Sequence, residues 1–574
     1  MYQFKIDKIV VNTSDGTQDI IPKKVNILVG PNNSGKSRIL KELRDYLSGD
    51  NRDIKIIHSI DYPYPENFSA LDEAYNITSK MAKDQYGNWM LKTYSNKPNQ
   101  VLDMTASLES YFTRNMNTVG GDWTEHFSGI IARKDKTDFL NWYGSLFFQY
   151  MGTEERLTIC KSQKNYGLDS SSTNYLSSFK YKDKLLNDLS HKIKQLFKRD
   201  IFLDTQTLGD RLAFRVGDSF EYVEGAVNFS EDIAFKLFSE NMLDDQGDGI
   251  KSFVSTFLSL NHKENDILLL DEPEAFLHPP LARQLGEMIG ESNDEERIIF
   301  VATHSVEILK GILSKTQDVN VIRITRSEDN KNSIMLLNQD LLNTILQDPL
   351  LRVSRVLEGI FCEKVIITEA EADELVYQEL IEKLIPESGV FFAHGQNKQT
   401  LAPIAELYQK IGVGYEVITD FDVLRVSSEF YKFLSFMPIE EKEKQRIKSY
   451  AEKLREIVDK TVNADNLTDE KAEELKKEKR NDVYHKQGIR FFDDNLQTKI
   501  RETLKFLSKN HLHILETGEL ETLLEQYGVM YKEKKLWIVD AITKIADLNR
   551  EDIDPESVVY RFVYDIIEND QNDT

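Results

Sequence analysis

Two patterns alternate along the chain. Short unbroken apolar runs stop at Gly or at acidic residues, and longer stretches place apolar residues three and four apart. The first run, Val25–Gly30 (VNILVG), is β-rich and ends in Gly, as a buried strand entering a loop does. The helix that follows reads SRILKELRDYL, with Ile39, Leu40, Leu43 and Leu47 at helical spacing. Residues 1–47 therefore predict strand, turn, strand, loop, helix. Residues from about 50 to 230 are mixed. They hold an aromatic-rich stretch, NWYGSLFFQYMGTEER, and an amphipathic one, KLLNDLSHKIKQLFKRD. Two more buried strands, Ile267–Leu270 and Ile298–Ala302, follow, and 319–337 is strand-rich. A second α/β pattern starts at Val365. From 425 to 505 Glu and Lys interleave with helical spacing, which predicts a solvated helical pair. A last apolar strand, HLHIL, precedes GELETLL.

Composition narrows the setting. At 574 residues and roughly 100–200 residues per domain, three to four domains are the simple expectation. Cys160 and Cys362 stand far apart, which excludes a disulfide framework and a four-thiolate zinc site within one chain. No apolar run reaches the ~18–20 residues of a membrane span, and the start MYQFKIDKIVV lacks a signal-peptide pattern. A soluble, cytoplasmic protein with no membrane partner is expected. The net charge of −24 argues against a general nucleic-acid coating role, while leaving room for an enzyme with a local basic groove.

The chemistry begins at Gly30-Pro31-Asn32-Asn33-Ser34-Gly35-Lys36-Ser37, which matches G-x-x-x-x-G-K-[ST] between a strand and a helix. Its backbone N–H groups can face phosphate, Lys36 reaches the β- and γ-phosphates, and Ser37 ligates Mg²⁺. In DILLLDEPEAFLHP the apolar strand delivers two carboxylates: Asp271 for the Mg²⁺ shell and Glu272 to activate the attacking water. RIIFVATHS ends another strand in Thr303-His304-Ser305, placing His304 to contact the γ-phosphate. ATP and Mg²⁺ are the implied cofactors.

A second acidic constellation follows. Val365–Ile367 leads to Glu369, and Asp373 lies four residues on at a helix start. Tyr415–Thr419 leads to Asp420-Phe421-Asp422. The D-x-D spacing puts two side chains on one face of an extended segment. Such carboxylates can share Mg²⁺ or Mn²⁺ for phosphodiester cleavage. His511 and His513 share one strand face and read as core or surface histidines.

The order of motifs resembles the ABC-type ATPases of the SMC, RecF and OLD (overcoming lysogenization defect) group. Within that resemblance DDQGDGIKSF, with Gly247 and Gly249, is similar to a degenerate ABC signature that closes over the ATP of a second subunit. It implies a homodimer or higher oligomer through the heads. Gln149 would be the Q-loop glutamine. The second constellation resembles a TOPRIM domain, with Glu369-Ala370 where Glu-Gly is usual, so that the local backbone is expected to differ. ABC ATPase followed by TOPRIM resembles the OLD family of ATP-dependent nucleases, relatives of which include the Gabija large subunit and retron-associated nucleases. The resemblance covers about residues 1–430 by motif.

That likeness implies an α/β architecture in two parts. An ABC-type P-loop head would span 1–345 with a helical insertion at about 50–240. A TOPRIM α/β domain would span 346–574 with a helical insertion at about 425–505. It also implies a late acidic ligand, best matched by Glu521 with Glu519 next in a cluster that includes Glu516, and a late lysine, Lys544 or alternatively Lys535. DNA is the implied substrate, and a defence-system protein or a retron RNA–DNA complex the implied partner. An ATP-gated scaffold and an RNase acting on tRNA remain open alternatives. No tyrosine among the 24 stands in a context that marks a topoisomerase nucleophile.

Overall fold

The computed structural model describes residues 2–83, 89–91, 123–165, 175–224, 229–326, 331–337, 355–463, 470–529 and 534–568, apart from 15, 263–264, 293–295, 387, 551–552 and 555–556. It divides into two compact units, Met1–Leu337 and Asn338–Thr574.

In the first unit the VNILV run forms β1 (Val25–Val29), buried at every residue. Helix α1 (Lys36–Leu47) buries the four apolar residues that its spacing put on one face. The chain continues through β2 (Phe148–Met151), α2 (Thr153–Thr158), α3 (Asp248–Asn261) and β3 (Ile267–Asp271). It then forms α4 (Pro279–Glu291), β4 (Ile298–Ala302), α5 (Val306–Leu313), β5 (Val319–Arg326) and β6 (Asn332–Leu336). The six strands lie in the order β6-β5-β1-β4-β3-β2. All neighbours are parallel except β5 and β6. Parallel strands covered on both faces must be apolar along their length. Asp271 pairs with Ala302, and Ala302 with Leu28. The C-terminal ends of β1, β3 and β4 thus share one edge, and the residues that follow them meet there.

The segment expected as a helical insertion also supplies strands. Ile57–Asp61 pairs with Lys8–Thr13, and Asp200–Asp204 pairs with Arg211–Gly217. The aromatic stretch changes from helix, Lys136–Phe147, to strand at Phe148. Its helical part buries Phe139, Tyr143 and Phe147, and Phe147 stacks on Phe4 at 4.2 Å between ring centres.

The second unit runs β7 (Lys364–Thr368), α6 (Glu371–Leu384), β8 (Phe391–His394), α7 (Lys398–Lys410) and β9 (Gly414–Thr419). The charged region follows as α8 (Ser427–Phe436), α9 (Glu441–Asn463), α10 (Glu470–Asn481) and α11 (Asp494–Ser508). The chain closes with β10 (Leu512–Ile514), α12 (Leu520–Leu524), α13 (Lys534–Asp547) and α14 (Val558–Glu568). The sheet is wholly parallel, in the order β8-β7-β9-β10. Helix α6 shares a core with α13 and α14 through Val376, Leu380, Trp537, Ala541, Val559 and Val563. The charged region is less solvated than its composition suggests. Helix α9 buries Ile447, Ala451, Leu454, Val458 and Val462, a seam at three- and four-residue spacing hidden among the charged residues. Among the described residues no helix is long and apolar enough to cross a membrane.

The two late histidines have a structural use. Glu416, fully buried in β9, lies 3.1 Å from His511 Nδ1, 2.7 Å from His513 Nε2 and 3.3 Å from Lys364 Nζ. Burial alone would raise its carboxyl, but hydrogen bonds from the two histidines outweigh that and hold it at about 2. A depressed carboxyl contributes stability above the unfolded-state value, and the contribution is lost as pH falls through the folded one. Glu416→Gln should therefore destabilise the folded chain by about 3 kcal/mol at neutral pH, the scale for breaking a buried charge pair. Urea unfolding followed against pH should show the gap from wild type closing between about pH 4.5 and pH 2.

Candidate functional site

The edge shared by β1, β3 and β4 opens into a cleft of about 480 Å³. Asn33, Ser34, Gly35, Lys36 and Ser37 line it together with Glu272 and His304, as their motifs require. Lys36 is buried and donates to the carbonyls of Gly30 and Pro31, each at 2.7 Å. Burial pulls its ammonium down to about 8, against the opposing charges of Glu272, Glu274 and Asp271. Asp271 accepts from the Tyr150 hydroxyl at 2.9 Å through Oδ2, while its buried Oδ1 has no hydrogen-bond partner. An orphaned carboxylate oxygen at the end of a strand, within electrostatic reach of Lys36, fits a Mg²⁺ shell. Glu272 takes a positive φ of 49° and anchors its N–H on Ala302 O at 2.8 Å. Its carboxylate is 3.6 Å from His304 Nε2. Burial, then the Lys36 charge, lowers the His304 imidazole, which favours its neutral form.

Three residues here escaped the sequence reading. Glu274, the second Glu of DEPEAFLHP, accepts from Thr303 Oγ1 at 2.8 Å and from the His304 N–H at 2.7 Å, so it fixes the loop that presents His304. Tyr150, next to the expected Gln149, is the strand residue that meets Asp271. Side chains alternate along a strand, so while Tyr150 meets Asp271, the buried Gln149 faces Ser259 of α3 at 3.5 Å and does not line the cleft. Arg156 of α2 is buried. It donates to the carbonyls of Met151 (2.9 Å), Asp271 (2.6 Å) and Glu272 (2.7 Å) and to Ser252 Oγ (3.0 Å). One guanidinium thus ties the end of β3 to α3. That helix begins just after Gly247, and Gly249 lies in its first turn. A Cβ on Gly249 would stand 2.8 Å from Phe276 O in the loop after β3, so the glycine permits that close approach.

In the second unit Glu369 follows β7 and Asp420 follows β9, neighbouring parallel strands. Ligand oxygens of Glu369, Asp420 and Asp422 lie within 4.8 Å of one another. An all-carboxylate donor set fits a hard divalent cation such as Mg²⁺ or Mn²⁺. Thr419 Oγ1 orients Glu369 Oε1 at 2.8 Å. Burial and the repulsion of Asp422 raise the Glu369 carboxyl against the opposing charge of Lys398, and burial and Glu369 raise Asp420 further. Asp373 accepts from the Ala370 N–H at 3.1 Å, capping α6. Ala370 itself is extended at φ −137°, a conformation open to any residue, so replacing the usual Gly introduces no strain. Glu369, Asp373, Asp420 and Glu521 all act electrostatically on the phenol of Tyr377, which is buried on α6.

The late lysine lies elsewhere than expected. Lys544, on α13, is held by Gly528 O and, at 3.3 Å, by Asp540 one turn earlier on the same helix. The side chain of Lys535 lies outside the described residues. The ammonium beside the carboxylates is that of Lys398, at the start of α7. It bonds Asp422 Oδ1 and stands 3.5 Å from Glu369 Oε2. A histidine also arrives unannounced. A π-helical turn, Asp482–Gln487, brings His485 Nε2 to 3.8 Å from Asp422 Oδ2 and Nδ1 to 3.3 Å from Glu519 Oε2. The turn packs backbone on backbone against Gly518, where φ is 114° and a Cβ would fall 2.2 Å from His485 O. Glu516 is drawn off by Arg501 at 3.0 Å. Lys398 sits in AHGQNKQT, between the two acidic strand ends. That position was the available signal.

Comparison with known proteins follows this division. Residues 360–422 match the family described as "Overcoming lysogenization defect protein-like, TOPRIM domain", and residues 122–310 match "AAA domain, putative AbiEii toxin, Type IV TA system". The chain thus joins an AAA-type ATPase domain to an OLD-like TOPRIM domain, the pairing that OLD-family nucleases carry. The OLD-type TOPRIM match spans β7 to Asp422 and so encloses Glu369, Asp373, Lys398 and Asp420. Solved structures similar to this chain include SMC heads. One, bound to the C-winged helix domain of ScpA, is 13% identical, covering 59% of this chain and 99% of its own at a TM-score of 0.31. The SMC head domain of Thermotoga maritima is 11% identical, with 58% and 99% covered and a TM-score of 0.27. No curated protein matches the chain. An ATPase domain and a metal-dependent TOPRIM nuclease domain are thus joined in one polypeptide. Glu272→Gln should keep ATP binding and slow hydrolysis by about 10²–10⁴-fold, the range for losing a positioned general base. Nucleotide-binding and phosphate-release assays on the same preparation would check both halves.

Proposed function

We propose that this OLD-type chain is a divalent-metal-dependent DNA endonuclease or nickase, controlled by its ATPase head and serving as an anti-phage defence effector. The observation that carries the reading is the carboxylate cluster of Glu369, Asp420 and Asp422, set on adjacent parallel strand ends inside the OLD-like TOPRIM match. Bound at this cluster, Mg²⁺ or Mn²⁺ would supply an activated water and neutralise charge on the scissile phosphate. The chain's own part is to present oxygens from a fixed scaffold. Thr419 holds Glu369 in place, and the turn after β9 carries Asp420 and Asp422. Glu521, in the first turn of α12, is the candidate late ligand. The choice of DNA and of a defence role rests on the likeness to OLD nucleases.

In the head, Lys36, Ser37 and Asp271 bind the ATP–Mg²⁺ phosphates, Glu272 activates water and His304 stands beside it. The signature-like start of α3, where Gly247 leaves open space, would close over the ATP of a second copy, so that ATP favours head pairing and through that linkage sets nuclease access. The Arg156 bridge from β3 to α3 supports this coupling.

Asp420→Ala should abolish Mg²⁺- or Mn²⁺-dependent nicking of supercoiled plasmid while leaving ATP binding intact. Persistent cleavage by that variant sinks the reading, and cleavage of RNA in place of plasmid moves the substrate class. Lys36→Ala should lose ATP binding and any response of cleavage to ATP, yet still bind Mn²⁺ at the carboxylates, as followed by Mn²⁺ electron paramagnetic resonance without nucleotide.

A further inference from the structure

Lys398 occupies an unusual place for a lysine. It is the first residue of α7, whose N-cap Asn397 accepts from Gln399 N–H at 3.0 Å. The N-terminal end of a helix carries partial positive charge and disfavours cations. What holds the ammonium there is the pair of carboxylates it faces: Asp422 Oδ1, to which it is bonded, and Glu369 Oε2 at 3.5 Å. The remaining oxygens of those two groups also face donors. Glu369 Oε1 accepts from Thr419 Oγ1 at 2.8 Å and from the Asp420 N–H at 3.4 Å, and Asp422 Oδ2 faces His485 at 3.8 Å. Two of the three candidate ligands are therefore already neutralised by a side chain of this protein.

We propose that Lys398 is a built-in counter-cation of the cluster, and that a divalent ion binds by displacing its ammonium from Glu369 and Asp422. The inference rests on the metal site proposed above. It makes metal affinity a competition between a tethered single charge and a free double charge. The lysine keeps three mutually repelling carboxylates together on the strand ends, and it weakens the site for metal in doing so. A lysine whose role was only to clamp α7 onto the sheet would act the other way, since its loss would scatter the ligands and weaken binding.

Titration of the nucleotide-free, full-length chain with Mn²⁺, read by electron paramagnetic resonance, separates the two. Asp420→Ala identifies which binding belongs to the cluster. If wild type shows no Asp420-dependent Mn²⁺ binding, the metal reading itself fails. Where that binding is present, Lys398→Met should tighten it about tenfold or more, the scale of a unit charge at 4–6 Å. Lys398→Arg keeps the charge and adds a fork that engages carboxylates in two places, so it should loosen binding several-fold. Unchanged or weaker binding in Lys398→Met that melts like wild type overturns the proposal. Should Lys398→Met fail to fold, Lys398→Arg decides alone, and binding equal to or tighter than wild type overturns it.

Discussion

A strand buried on both faces has no room for charge along its length, so whatever charge it carries must come at its end. Both units of this chain are organised by that constraint. In the first, three parallel apolar strands release their polar residues at one edge, and the P-loop, Asp271-Glu272 and Thr303-His304 converge there. In the second, β7 and β9 do the same with Glu369 and Asp420. Parallel pairing matters as much as burial. Antiparallel neighbours would send successive strand ends to opposite edges, and the acidic groups would never meet.

The constraint also explains what was legible in the sequence. VNILVG, DILLLDE and IIFVATHS announce themselves because a buried parallel strand cannot be written any other way, and the residue after each run is fixed by register. Glu369 and Asp420 were readable on the same grounds. The residues that escaped, Arg156, Tyr150, Glu274, Lys398 and His485, act from outside those strand ends or from their second faces. Their positions depend on which helix packs where, and a lysine or a histidine between two loops carries no period of its own. Gln149 and Tyr150 show how fine the margin is: adjacent strand residues face opposite ways, and only the structure says which faces Asp271.

Lys544 finds other partners for a related reason. A lysine late in the chain matches a family habit, but α13 turns it toward Asp540 and the carbonyl of Gly528. The ammonium came instead from a turn lying between the two acidic strands, where its distance along the chain from either is short. The charged stretch from 425 to 505 misled in the opposite direction. Its composition suggested a solvated pair of helices, yet α9 has a buried seam and the π-helical turn reaches the acidic cluster.

That last contact has a consequence for the anatomy of the fold. The arm between β9 and β10 delivers His485 to Asp422 and Glu519, and its turn is the surface on which Gly518 closes. Trimming the arm to obtain a minimal nuclease core would strip Asp422 of a neighbour and leave the loop before α12 unsupported. A domain that looks separable on a topology diagram is, in its chemistry, a corner of the site.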